Sequence, residues 1–403
     1  MSYIFNNQIA YSDSVNLDAF GRLRVSETTS LLELKYDQDK LPNQVDEVVS
    51  GSASSTLDTT NACVIMSVSN TGGYVIRQSK ERAIYQPGKS QLCEFSFSDF
   101  ELSSNVIKRV GYFSSTTAAT YDSQFDGFFL ESNGVNNKIS FQIWKTGTLI
   151  LSAATDTWDS SQIDPSTINW SKTNLMVVDF QWLGVGRVRF GMNLSGSTYV
   201  FKTNSGTNNL DDVYMTSPDQ PVRYEIRSSG GTGSFHQICS AVNDEGTRNT
   251  IKRTGSISQT TVTTLATSGT KYPLIGIRPS PTYDQVTLQL TNTQILNTSN
   301  DNFLVTVEIN PTISSGMTYS SGNTAEWEYS LGNGGQTVTS DGVIIAGFIG
   351  EAGTSALTTI ELTETEIKPG RKIDGTIDQL WVCITPLGAN ATFLGSTNFT
   401  YEK

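Results

Sequence analysis

Along residues 178–194 apolar and polar side chains alternate almost one for one. Val178, Phe180 and Trp182 are separated by Asp179 and Gln181. Beyond Gly184, Val185 and Gly186, the apolar Val188, Phe190, Met192 and Leu194 alternate with Arg187, Arg189 and Asn193. Successive side chains leave a strand on opposite faces, so a period of two suits a strand and not a helix. Two such runs joined by a glycine turn predict a hairpin with one face on a core and the other in water. The same period returns at Ile139, Phe141 and Ile143, and at Val222, Tyr224 and Ile226, where Arg223, Glu225 and Arg227 are expected to face outward. It persists past residue 250 at Val286, Leu288 and Leu290, at Phe303, Val305, Val307 and Ile309, and at Leu380, Val382 and Ile384. Few segments keep a helical period beyond two turns. Short alternating strands separated by Gly, Ser, Asn and Pro clusters predict an all-β chain built of β-sandwich or jelly-roll-like domains.

The length of 403 residues suits two cores better than one. Residues 247–269 are polar and poor in large apolar side chains, which predicts a linker between a first sandwich at 44–246 and a second at 270–403. Residues 1–43 read as an extended N-terminal arm. They hold Phe5, Ile9, Leu17, Phe20, Leu23 and Val25 without the strand density to build a core. Apolar residues in that number need a covering surface. The arm is therefore expected to dock on a neighbouring subunit, with Phe20 and Leu23 as anchors and Arg22 and Arg24 reaching acidic groups of the partner. Closed cyclic self-assembly is expected, with a trimer as the first model.

The formal charge is −12, and Lys and Arg are scattered. A nucleic-acid binder needs a positive footprint on phosphates, so no nucleic-acid partner is expected. No window reaches the length of an apolar membrane span, and no membrane partner is expected. The polar start MSYIFNNQIAYSDS lacks the regions of a secretory signal, which predicts synthesis in a cytoplasm. Cys63, Cys93, Cys239 and Cys383 form no CxxC pair, and buried free thiols are expected in place of a zinc site.

The lone histidine, His236, lies three residues before Cys239. On a regular strand that spacing sends the two side chains to opposite faces, so a Cys-His nucleophilic pair is not expected. Neighbouring carboxylates at Asp156 and Asp159, Asp211 and Asp212, and Glu361, Glu364 and Glu366 could serve a polysaccharide hydrolase only if two faced each other across a cleft. The aspartates of TYDSQFDGFF and TDTWDSSQID do not follow a regular calcium loop. Gly184 and Gly186 read as a turn and not as a dinucleotide loop. Among the tryptophans, Trp182 is expected in the core, and Trp144 could be exposed as part of a sugar-stacking shelf. No catalytic residue, cofactor or metal is expected.

Four segments carry a family resemblance: NLDAFGRLRVSE at 16–27, VIRQSKERAIYQPGKSQ at 75–91, DFQWLGVGRVRFG at 179–191, and PVRYEI with the downstream HQICSAVNDEG. In order and spacing they resemble a group of large virion structural proteins of tailed bacteriophages. The likeness spans about residues 16–246 and returns in places further on, as in KYPLIGIR and SNDNFLVTVEINP. It implies a structural, non-enzymatic role in the virion, on head, neck or tail, in contact with copies of itself and with neighbouring virion proteins. The alternatives are a carbohydrate-binding receptor module that contacts a host surface glycan, or a tail-borne depolymerase.

Overall fold

The computed structural model describes all residues except 1, 6–7, 12–16, 20–22, 24, 26, 116–123, 247–251, 284, 354–355, 363–367 and 403. The chain is all-β: two one-turn 3-10 helices, Thr155–Thr157 and Pro165–Thr167, are the only helical turns among the described residues. It divides into two compact units, Met1–Asn249 and Thr250–Lys403.

In the first unit, a seven-stranded antiparallel sheet runs in the order Thr148–Ala154, Lys138–Lys145, Phe125–Asn133, Val106–Ser115, Val222–Ser228, Tyr74–Ser79, Val45–Ser50. The second sheet runs Ser197–Ser205, Arg187–Leu194, Asn174–Phe180, Gln91–Ser98, Gly233–Glu245, Cys63–Val68, Ala53–Asp58. Its eighth strand, Thr28–Lys35, pairs with the far end of Gly233–Glu245. One core joins the two sheets: Val110, Tyr112, Phe128, Phe141 and Tyr224 from the first meet Phe95, Phe97, Val178, Phe180, Phe190 and Phe235 from the second. Strict alternation is the local cause. Gln91–Ser98 buries every second residue, and the sandwich geometry lets each such strand wet its other face.

Three expectations need correction here. The arm does not extend to residue 43: Thr28–Lys35 is a sheet strand whose Leu32 and Leu34 join the core, and Tyr36 is fully buried beneath Arg77. Two alternating apolar residues, Leu32 and Leu34, were enough to seat a strand that reads as arm. Trp182 stands outside the strand, which ends at Phe180. Leu183 and Gly184 take positive φ to turn the chain, leaving the indole half-buried at the rim with its Nε1 donating to Met215 O at 3.0 Å. Arg223 and Glu225 do point away from the sandwich interior, yet both are buried.

The second unit pairs a five-stranded with a six-stranded sheet. The five-stranded sheet runs Arg253–Ser258, Ala391–Glu402, Thr287–Asn297, Ala356–Glu361, with Thr263–Leu265 also pairing with Ala391–Glu402. The six-stranded sheet runs Ser320–Ser321, Trp327–Leu331, Tyr272–Pro279, Leu380–Pro386, Phe303–Ile309, Val343–Gly350. Leu288, Ile295, Phe393 and Phe399 of one meet Ile275, Val305, Val307 and Ile384 of the other. The segment 247–269 is therefore not a linker throughout. Its strands Arg253–Ser258 and Thr263–Leu265 lie along the last strand of the chain, and Ile257 and Leu265 enter the core.

Candidate functional site: a seated N-terminal segment and a closed sheet face

Arg187 and Arg189, read as water-facing, meet the backbone of the N-terminal segment instead. Arg187 donates from Nε to Ala19 O and from Nη2 to Asp18 O, each at 3.0 Å. Arg189, on the same face, donates from Nη2 to Leu17 O and is clamped by Asp179, whose Oδ1 accepts from Nε at 2.8 Å. Ala19 N donates to Ser90 Oγ at 3.2 Å. Leu17, Asp18 and Ala19 are buried as a result. Guanidinium groups suit this task because one planar fork reaches several carbonyls at once. The seat draws on three of the four segments that carry the family resemblance: 16–27, 75–91 and 179–191.

Of the residues expected to anchor the arm, Leu23 is bridged to Leu17 and 44% exposed. Phe20, Arg22 and Arg24 lie outside the described residues. Within the described part of the arm, Leu17–Ala19 is held by its own unit.

The outward face of the seven-stranded sheet is the second feature. Its register places Gln78, Arg223, Gly111, Phe129 and Gln142 in one row across five strands, and Ile76, Glu225, Arg109, Glu131 and Ser140 in the next. Arg109 lies between two carboxylates, with Nε to Glu131 Oε2 at 2.7 Å and Nη1 to Glu225 Oε2 at 3.2 Å. Arg223 contacts the other oxygen of Glu225 at 2.5 Å and donates to Gln78 Oε1 at 2.8 Å. Glu131 Oε1 accepts from Gln142 and Asn133, each at 3.1 Å, and Gln142 Oε1 accepts from Trp144 Nε1 at 2.8 Å. Two guanidinium and two carboxylate charges cancel within the network. Phe113, Phe125 and Phe129 form a small aromatic cluster beside it, with the Arg109 guanidinium 4.6 Å from the centre of the Phe125 ring.

Glycine makes this closed face possible at two cross-strand pairs. Gly111 lies opposite Phe129, and Gly127 opposite Phe113. A Cβ at either position would stand 2.3 Å from a carbonyl oxygen of the adjacent strand. Gly127 also holds φ at +119°, a conformation closed to ordinary side chains.

Glu131 and Glu225 are the facing carboxylates that sequence reasoning missed. The Arg109 guanidinium lies between them and pairs with both. Of the carboxylates singled out in the sequence, two have partners of their own. Asp159 accepts from Ser161 N at 2.8 Å in a turn, and Asp212 pairs with Lys145. Glu364 and Glu366 lie outside the described residues. Asp126 of the suspected calcium loop accepts from Thr216 N at 2.8 Å, Ser217 N at 3.1 Å and Gln220 Nε2 at 2.8 Å, so both its oxygens order a neighbouring loop. No cluster of three or more His, Cys, Asp or Glu suited to a metal occurs among the described residues.

A register shift between Gln237 and Cys239 changes the expected parity at the histidine. Phe235 and Val242 enter the core, and Ser240 meets Tyr224 across the interior, so His236 and Cys239 share the outer side. The hydrogen-bond and ion-pair partners of His236 are Ser98 Oγ at its Nδ1 and Asp99 at its Nε2, both at 3.2 Å. Burial pushes the Cys239 thiol up, away from the thiolate a nucleophile requires. None of the six tryptophans, all described, is exposed; Trp144 is half-buried against Phe125.

No family model matches the chain, and no curated protein does. Solved structures similar to it include the carbohydrate recognition domain of Emp47p, at 12% identity and a TM-score of 0.37, covering 55% of this chain and 98% of that one. A Bacillus licheniformis β-glucanase is similar at 10% identity and a TM-score of 0.34, covering 55% and 100%. The carbohydrate esterase of the Shiga toxin-encoding bacteriophage phi24B is similar at 12% identity and a TM-score of 0.33, covering 55% and 100%. No described helix is long and apolar enough to cross a membrane.

Proposed function

We propose that this chain is a structural virion component of a tailed bacteriophage, acting by assembly with copies of itself and with neighbouring virion proteins, and not by catalysis. The observation that carries this reading is the use made of its chemistry-bearing residues. In the segments that resemble phage virion proteins, Arg187, Arg189 and Asp179 hold the chain's own N-terminal segment. Arg223 and Glu225 close a neutral network with Arg109 and Glu131. Groups so engaged stiffen a scaffold and are not free to react. The burial or half-burial of all six tryptophans weighs against a stacking shelf for host glycans.

Two measurements test this together. The purified chain is expected to sediment as a defined homo-oligomer, and an antibody raised against it is expected to label purified phage particles in electron micrographs. A chain that stays monomeric at its highest soluble concentration and is absent from particles refutes the proposal. Release of reducing ends from host polysaccharide by the purified chain, lost on a single carboxylate substitution, refutes its non-enzymatic part.

A further inference from the structure

The six-stranded sheet of the second unit ends on Val343–Gly350, which pairs with Phe303–Ile309 on one side and with no strand among the described residues on the other. Its sequence, VIIAGFIG, has no charge and no proline across eight residues. Sheet edges left this bare invite another strand, and proteins usually guard them with charge, proline or brevity. Several other edges among the described residues follow that practice more closely, although Ala356–Glu361 ends on a glutamate and exposes Leu357. Val45–Ser50 carries Asp46 and Glu47, Ser197–Ser205 carries Lys202, Arg253–Ser258 begins on an arginine, and the opposite edge of this same sheet, Ser320–Ser321, has two residues. Thr148–Ala154 shares the lack of charge but exposes a single large apolar side chain, Leu149.

On Val343–Gly350 the exposure is out of proportion to what the fold needs. Val343, Ile345, Ala346 and Phe348 already pack against the core, while Ile349 is 76% and Ile344 50% exposed. Leu304, opposite Ile349 on the neighbouring strand, adds a further exposed apolar side chain to the same face.

We propose that this edge pairs antiparallel with the same strand of a second copy of the chain, about a two-fold axis at Phe348, making one sheet continuous across two subunits. The inference rests on the assembly reading and gives it a two-fold interface, in place of the trimer first expected. Two arguments select a second copy as the occupant. Each copy carries a net charge of −12, so two can meet closely only where carboxylates are absent or neutralised. The strand has none. Glu308, which faces outward from the strand behind it, is buried against Lys271 at 2.5 Å; the same ammonium also meets Asp341 at 2.7 Å, which leaves a single net negative charge, on the exposed Asp341 before the strand begins.

The second argument is shape. Residues directly opposed in an antiparallel pair lie on one face, so an axis at Phe348 places Ile349 of each copy opposite Gly347 of the other. Nothing stands within 4 Å of a Cβ built at Gly347. The exposed isoleucine of one copy has an empty place beside the other copy's glycine, and two-fold symmetry makes the contact twice.

The full-length chain tests this by sedimentation and by disulfide trapping. Ile349→Arg is expected to weaken self-association at least about tenfold, as loss of a central apolar anchor does, with the melting temperature held because the side chain is exposed. Gly347→Lys, at an equally open position, reports the same loss if Ile349→Arg fails to fold. Chains carrying Gly347→Cys and chains carrying Ile349→Cys should cross-link on oxidation when mixed, and neither should do so alone. A wild-type chain that stays monomeric overturns the interface together with the assembly reading. Self-association unchanged in both charged variants, or cross-linking of one cysteine variant with itself, overturns the interface alone.

Discussion

Arg109, Arg223, Glu131 and Glu225 form a neutral set only while all four are present, since the burial of each charge is tolerable through its partners. Glu225→Gln leaves Arg223 buried with no carboxylate partner, beside the neutral Gln78, the Phe113 ring and the new amide. It should cost about 3–5 kcal/mol in a urea titration, the range for breaking a buried ion pair from one side; a midpoint shift too small for that would show that water reaches the network. Glu47 gives a pH signature. Burial pushes its carboxyl up, but the Lys40 ammonium, the Arg77 guanidinium and the Ser55 hydroxyl outweigh that and hold it below its ordinary value. A depressed carboxylate contributes stability above its unfolded pKa and loses it as pH falls through the folded value. The urea midpoint of the wild type should therefore fall as pH drops below the ordinary carboxylate range, and Glu47→Gln should flatten that fall. At this scale the sequence marked Arg223, Glu225 and Arg187 as outward, correctly by parity. It could not tell outward from solvated, because that depends on which distant residues stand on the far side of the sheet.

Strand pairing explains why glycine appears in the middle of two interior strands, where its entropy cost would otherwise count against it. Gly111 and Gly127 lie opposite Phe129 and Phe113, and the strands approach so closely that a Cβ meets a carbonyl at 2.3 Å. Gly111→Ala should destabilise the chain by about 1–3 kcal/mol, the usual cost of overpacking. Gly347→Ala, with open space around it, should leave stability nearly unchanged. Equal effects in a thermal melt would contradict the close approach. The strands Arg187–Leu194 and Phe303–Ile309 were legible from their period, whereas Ala391–Glu402 and Gln91–Ser98, which bury alternate residues without a break, were not singled out. The strand Gly233–Glu245 was harder. Its register shift after Gln237 returns His236 and Cys239 to one side, and the sequence FHQIC carries no glycine or proline to announce it.

Each unit closes its own core, so the boundary between them decides what can fold alone. The all-β architecture and the presence of two sandwiches follow from alternation that persists past residue 250. The boundary itself was obscured because Arg253–Ser258 is an edge strand, which needs only one apolar residue inside, Ile257, and can be polar elsewhere. That strand and Thr263–Leu265 together cover the last strand of the chain from residue 391 to 401. Gly255 lies so close to Phe399 that a Cβ there would stand 2.3 Å from its ring, and Leu265 is fully buried. A fragment that begins at residue 270 loses both strands, exposes Phe399 and one side of a twelve-residue strand, and leaves two holes in the core. Filling such holes is worth about 2–5 kcal/mol for each large aliphatic side chain, enough to consume the stability of a small domain. The fragment 252–403 should therefore unfold cooperatively with a defined near-ultraviolet circular dichroism spectrum, whereas 270–403 should aggregate or lack that signal. Cooperative folding of 270–403 would mean that the last strand holds without its N-terminal partners, and would restore 247–269 as a linker.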